Sequence, residues 1–191
     1  MKSVLISIRP KWTEKIANGE KTIEVRKSAP KEVPFKCYIY ETQGQYVKFT
    51  HGAHTKYGYG RGKVIGAFIC DRIEMVNAKC SNYGIDLFYH DCLTNGCLTE
   101  REIEKYFNVP EDRDLRAMKG NGYVWNISDL KIYDKPKELS EFRKPCPYGD
   151  LPCWICPSCD KDENDNLIQC FNTVSRPPQS WQYIEDLGEK E

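Results

Sequence analysis

A chain of 191 residues and 22.2 kDa has room for one domain with a small appendage, and 40% apolar with 12% aromatic residues is too hydrophobic for a disordered polymer. No apolar run approaches the ~20 residues of a membrane span, and Met1-Lys2-Ser3 opens straight into a strand-like run rather than a signal-peptide core, which predicts a protein of the cytoplasm with no membrane partner. Lys+Arg and Asp+Glu number 28 each, yet residues 1–66 carry 13 cations against 5 anions and residues 67–191 carry 15 against 23; a basic half fits a polyanion partner, and mutual neutralisation within one fold fits as well.

In chain order, residues 3–9 form an apolar run that reads as a buried strand. Pro10 suits a first helical turn, Trp12 and Ile16 share a face, and Asn18-Gly19 supplies a left-handed stop. Thr22-Ile-Glu-Val-Arg26 alternates, with Ile23 and Val25 on one face and Thr22, Glu24 and Arg26 on the other. Residues 35–40 and 62–70 are further strands. Between them, residues 43–63 hold five glycines, four aromatics, two histidines and four Lys/Arg but no acid, a composition that predicts a mobile loop. Thr99-Glu-Arg-Glu102 is a capping-box pattern that starts a second helix through Ile103 and Phe107. Residues 122–128, 130–133 and 176–184 are strand-like. Many short strands with two or three short helices predict a mostly β, α+β fold, since a doubly wound sheet needs a helix after most strands.

Three constellations carry chemistry. The first is Lys21, delivered by the Gly19 turn, with Glu24 and Arg26 on the strand that follows. Lysine, carboxylate and guanidinium together bind a phosphate or base edge, or shift a lysine toward proton transfer; a solvent-facing salt-bridge ladder uses the same residues. The second is the 43–63 segment, where Tyr57, Tyr59, Arg61 and Lys63 continue an interleaving of Tyr46, Lys48, Phe49 and Lys56. Single-stranded nucleic acid is held by such cations along its backbone and by aromatic faces under its bases. Packing of these aromatics on the protein itself is the competing use. His51-x-x-His54 is a weak metal signal.

The third is Cys146-x6-Cys153-x2-Cys156-x2-Cys159-x10-Cys170, half of the chain's ten cysteines. Thiolates at Cys-x-x-Cys spacing suit the tetrahedral preference of Zn²⁺, and metal binding supplies folding energy that a short polar segment lacks. Cys146, Cys153, Cys156 and Cys170 span the segment as expected ligands of a structural zinc, with Cys159 a possible replacement for Cys153 and an iron–sulfur run a weaker reading. The expected organisation is a barrel over residues 1–144, a Cys-rich insertion over 145–172, and a closing strand over 173–185. Cys37 and Cys70, inside apolar runs, are expected to be buried.

The order of strand, Pro10-Lys-Trp12 helix, Gly19-x-Lys21-x-x-Glu24-x-Arg26, Val64-Ile-Gly-Ala-Phe68 and Arg176-Pro-Pro-Gln-Ser-Trp181 resembles the ASCH domain of the PUA-like superfamily, in particular ASCH-type proteins of bacteriophages and prophages. The resemblance covers about residues 1–135 and 174–185. It implies a PUA-like pseudobarrel in a bacterial host cytoplasm, with a cleft for RNA or a modified nucleotide. Lys21 and Arg26 would meet the ligand and the 43–63 segment would close over it. Some relatives are amidohydrolases of N4-acetylcytidine, or ribonucleases, which implies Lys21 and Glu24 as an acid/base pair; the amidohydrolase threonine, three residues beyond the lysine, is Glu24 here. An adaptor that binds a host protein through the Cys-rich insertion is a third reading.

Overall fold

The computed structural model describes residues 2–51, 54–110, 117–148, 155–157, 159–164 and 167–185. The chain forms two compact units. One holds residues 1–10, 36–67 and 132–191, the other residues 11–35 and 68–131. Among the described residues twelve strands and three helices are present, a mostly β, α+β arrangement.

The first unit is built on a five-stranded sheet in the order β12 (Trp181–Ile184), β1 (Lys2–Ile8), β3 (Phe35–Glu41), β6 (Lys63–Cys70) and β9 (Ser128–Lys137). β1 is apolar and buried as expected, and β12 closes against it antiparallel, with Val4 opposite Tyr183 and Ile6 opposite Trp181. Leu5, Tyr38, Tyr40, Val64, Phe142, Val174 and Ile184 make the core here, with the Tyr38 and Phe142 rings edge to face at 5.1 Å. Burying a side chain of this size contributes roughly 1.5–3 kcal/mol.

Residues 43–63 are not the mobile loop their glycines predict. They form a hairpin of β4 (Gly44–His51) and β5 (His54–Gly60) in antiparallel register, Gln45 opposite Tyr59 and Val47 opposite Tyr57. Alternating aromatic and β-branched residues outweigh the glycines. Two glycines serve as spacers: a Cβ on Gly58 would strike the Tyr46 ring, and one on Gly60 would strike the Thr42 carbonyl and Pro10.

The second unit is a three-stranded sheet, β2 (Ile23–Arg26), β8 (Asn121–Asn126) and β7 (Ile73–Asn77), with α1 (Pro10–Ala17), α2 (Asn82–Thr94) and α3 (Glu100–Phe107). Ile23, Val25, Val76 and Val124 share a core with Ile85, Phe88 and Cys92 of α2 and Ile103 and Phe107 of α3. Gly122 leaves room for Phe88 and Phe107, whose rings meet edge to face at 5.6 Å. The Thr99–Glu102 capping box is formed reciprocally, as expected. The longest helix, α2, falls in a stretch where the sequence reading assigned nothing. It starts on Ser81, whose hydroxyl accepts from Gly84 N–H, and carries no acid in its first turn.

Cys37 and Cys70 are fully buried, as their strands predict. No helix among the described residues is long and apolar enough to cross a membrane.

Candidate functional site

Lys21 enters β2 from a tightly specified turn. Gly19 adopts φ +80° and donates to the Ile16 carbonyl, and Lys21 N–H donates to the Lys15 carbonyl at the end of α1. On the other side, the turn after α2 receives it: Thr22 N–H donates to the Asn95 carbonyl, and Lys21 Nζ donates to the Gly96 carbonyl at 2.8 Å. Carbonyls just beyond a helix C-terminus carry partial negative charge and suit an ammonium. The Trp12 ring lies 5.6 Å from Nζ, within cation–π range.

From this anchor Glu24 and Arg26 follow along β2. Glu24 Oε2 lies 3.5 Å from Lys21 Nζ, and Glu24 Oε1 lies 3.0 Å from Arg26 Nε, so one carboxylate sits between two cations. All three residues are buried, at 3%, 6% and 9% exposure. This corrects the solvent-facing ladder that alternation allows: every residue of β2 is buried on either face. Glu24 lies opposite the fully buried Trp125, and Arg26 opposite Tyr123. The alternation predicted which residues share a face, but not the contacts of the turn after α2 and of Trp12 of α1 with Lys21.

Tyr106 on α3 belongs to the same neighbourhood, and sequence reasoning missed it. Burial pushes its phenol up from the usual tyrosine range, with Arg26 pulling it down and Glu24 pushing it up. Lys27 Nζ lies 5.1 Å from its ring. The only signal in sequence is its place beside Phe107 on an amphipathic helix. Cys92 on α2 also feels Lys21; its thiol is pushed up to about 12 by burial, against the lowering effect of the ammonium.

Glu100 and Glu102, in the first turn of α3, have partners of their own: Glu100 shares a side-chain hydrogen bond with the Tyr89 phenol. Glu102 caps α3 and forms an ion pair of 2.8 Å with Lys11.

On the hairpin, Gln45, Val47, Tyr57 and Tyr59 share one exposed face; Tyr59 is 72% and Tyr57 48% exposed. The opposite face is used internally, with Tyr46 over Gly58 and Lys48 Nζ 5.8 Å from the Tyr46 ring. Arg61 and Lys63 stand at the base with carboxylate partners: Arg61 N–H donates to Glu41 Oε1 at 2.9 Å, and Lys63 pairs with Glu138 at 2.6 Å. His51 and His54 are opposite in register.

In the Cys-rich segment, Cys146, Cys156 and Cys159 are thiols, while Cys153 and Trp154 lie outside the described residues. Among the described side chains no three metal-ligating groups stand clustered.

The arrangement of sheets and helices is an ASCH-like fold. The chain is similar in structure to ASCH from Zymomonas mobilis, at TM-score 0.53 and 17% identity over 96% of this chain and 88% of that one. Two point mutants of the same protein match at TM-scores of 0.55 and 0.54 with 15% and 16% identity, covering 98% and 97% of this chain and 93% and 90% of theirs. No family model and no curated protein matches the sequence.

Proposed function

We propose that the protein is an RNA- or modified-nucleotide-binding module with a candidate contact group in each unit: Lys21, Glu24 and Arg26 in one, and in the other the exposed Tyr57 and Tyr59 as base-stacking surfaces with Arg61 and Lys63. The observation that carries this reading is a buried Lys–Glu–Arg cluster of net positive charge. Removing each ion from water costs several kcal/mol, and an apolar substitute would suit a purely structural strand better. An excess of positive charge with guanidinium and ammonium donors favours phosphate or the acceptor edge of a base, and Glu24 adds the complementary acceptor for base amino groups. The ASCH fold is consistent with nucleic-acid binding.

Fluorescence anisotropy of labelled single-stranded RNA at low and moderate salt tests it. Wild type should bind with salt-dependent affinity, and Arg26→Gln, checked for folding by circular dichroism, should weaken binding about tenfold or more, the loss expected for a charged hydrogen-bonding group. Absence of binding at low salt overturns the reading.

A second reading is favoured by the 3.5 Å approach of Lys21 Nζ to Glu24 Oε2. Such a pair fits general acid–base hydrolysis of a modified nucleoside or of RNA. Product formation from a panel of acylated nucleosides and RNA, lost in Glu24→Gln while the RNA still binds, would establish the enzyme over the binding module.

A further inference from the structure

We infer that the exposed face of the β4–β5 hairpin is a platform for two successive unstacked bases of a single RNA strand, and that it selects uridine-rich over adenine-rich sequence. This preference belongs to the RNA-binding module proposed above and rests on that reading. Among the described residues two hairpins stand outside the larger sheets: β10 (Cys159–Lys161) with β11 (Leu167–Cys170) is short, whereas β4 and β5 run for eight and seven residues. Tyr57 and Tyr59 are alternate residues of β5, so their side chains leave the same face. Opposite them in register stand Val47 and Gln45, both exposed. Gln45 Nε2 donates to the Tyr59 hydroxyl at 3.3 Å, which ties the more exposed ring to the neighbouring strand. Gly58, between the two tyrosines, faces the other way, where the Tyr46 ring lies in the space a Cβ would take. The face is thus backed by a packed ring and turns two aromatic side chains and one β-branched side chain to solvent.

Charge identifies the occupant. Residues 43–63 carry Lys48, Lys56, Arg61 and Lys63 and no acid. Aromatic side chains in a segment that supplies only cations suit an anion with flat apolar surfaces, which describes a single-stranded nucleic acid. A duplex keeps its base faces inside its own stack and offers the rings nothing.

Spacing sets the sequence preference. Alternate residues of a strand lie ~6.5 Å apart, about twice the ~3.4 Å between stacked bases along a nucleic-acid strand. Two successive bases that each lie on one ring are therefore drawn apart from each other as well as from their outer neighbours. Three base–base contacts are broken and two base–ring contacts form. Adenine runs stack strongly on themselves and lose the difference, whereas uridine runs stack weakly beforehand and lose little.

The test is fluorescence anisotropy of labelled oligo(U), oligo(A) and the duplex of the two, each of about twelve nucleotides, within the span that one small fold covers. Wild type should bind oligo(U) about 10-fold more tightly than oligo(A), and the duplex more weakly than either. Tyr57→Ala and Tyr59→Ala should each lower the affinity for oligo(U) about 10-fold and narrow the gap between the two oligomers, because one base fewer leaves its stack. Tyr57→Phe keeps the ring and should bind like wild type; Gln45→Ala, which frees the Tyr59 ring, should fall between wild type and Tyr59→Ala. Thermal melts identify any variant that fails to fold. Oligo(U) bound no better than oligo(A), a duplex bound equally well, or unchanged affinity in the double variant Tyr57→Ala with Tyr59→Ala overturns the platform and leaves RNA binding to Lys21, Glu24 and Arg26. Binding of no oligomer at all overturns the platform and the RNA-binding reading together; a dimer that light scattering detects and Tyr59→Ala dissociates would then assign the face to a second copy of this chain.

Discussion

Glu24 shows how one buried residue governs its neighbours. It separates the Lys21 ammonium from the Arg26 guanidinium, and its neutralisation leaves two like charges in a space where water is scarce. Glu24→Gln should therefore lower the unfolding free energy by about 3–5 kcal/mol, the range for breaking a buried pair by removing one partner. Lys21→Met should cost about 1–3 kcal/mol, because Glu24 keeps Arg26 as its partner while Glu24 Oε2 and the Gly96 carbonyl lose the ammonium. Chemical denaturation of the two variants settles the order, and equal midpoints would sink the account. At Cys92 the consequence is chemical: with a thiol pKa pushed up to about 12 by burial, the thiolate fraction at pH 8 is only about 10⁻⁴. A maleimide should leave Cys92 unmodified in native protein while labelling the more exposed Cys97. The pairing of Lys21, Glu24 and Arg26 was legible from the Gly19 turn and the period of two. Their burial was not, because it depends on partners distant in sequence, such as the turn after α2 at Lys21 and Trp125 and Tyr123 opposite Glu24 and Arg26.

At the scale of elements, the hairpin of β4 and β5 divides its aromatics between two tasks. Tyr57 and Tyr59 are exposed on one face beside Val47, whereas Tyr46 lies over Gly58 on the other. Tyr57→Ala and Tyr59→Ala should each weaken single-stranded RNA binding by about 1–3 kcal/mol, the worth of a stacked base, while stability stays within about 0.5 kcal/mol, as for exposed positions. Tyr46→Ala should do the reverse. Paired anisotropy and thermal melts distinguish the two patterns, and a loss of affinity shared equally by all three would refute the sidedness. Glycine content hid this hairpin from the sequence reading: Gly58 and Gly60 look like loop residues, yet they are where a ring and a carbonyl press against the strand. The capping box of α3 was legible because Thr99 and Glu102 carry the whole signal locally. α2 lacks an acidic first turn and was missed, although Ile85, Phe88 and Cys92 recur at helical spacing.

For the whole molecule, the charge split that divides the linear chain does not survive folding. The unit of residues 1–10, 36–67 and 132–191 contains 14 Lys+Arg and 13 Asp+Glu, and the other unit 14 and 15. Each unit is close to neutral, because the segments that alternate between them mix basic N-terminal with acidic C-terminal stretches. Long-range attraction of a polyanion is therefore weak for either unit. Electrostatic binding must come from local cations; at the hairpin and its base these are Lys48, Lys56, Arg61 and Lys63, the last two beside the carboxylates of Glu41 and Glu138. About three phosphate contacts to a single strand give a slope of log affinity against log salt near −2. Affinity for single-stranded RNA should accordingly fall by roughly 20-fold between 50 and 200 mM salt, rather than the 10³-fold or more of a protein making many phosphate contacts. Association should also be slow, about 10⁵–10⁶ M⁻¹s⁻¹, with little dependence on ionic strength. A slope near −6 would refute the account, since it requires far more phosphate contacts than the hairpin supplies; a slope near zero would mean that stacking on Tyr57 and Tyr59 carries the binding without the phosphates.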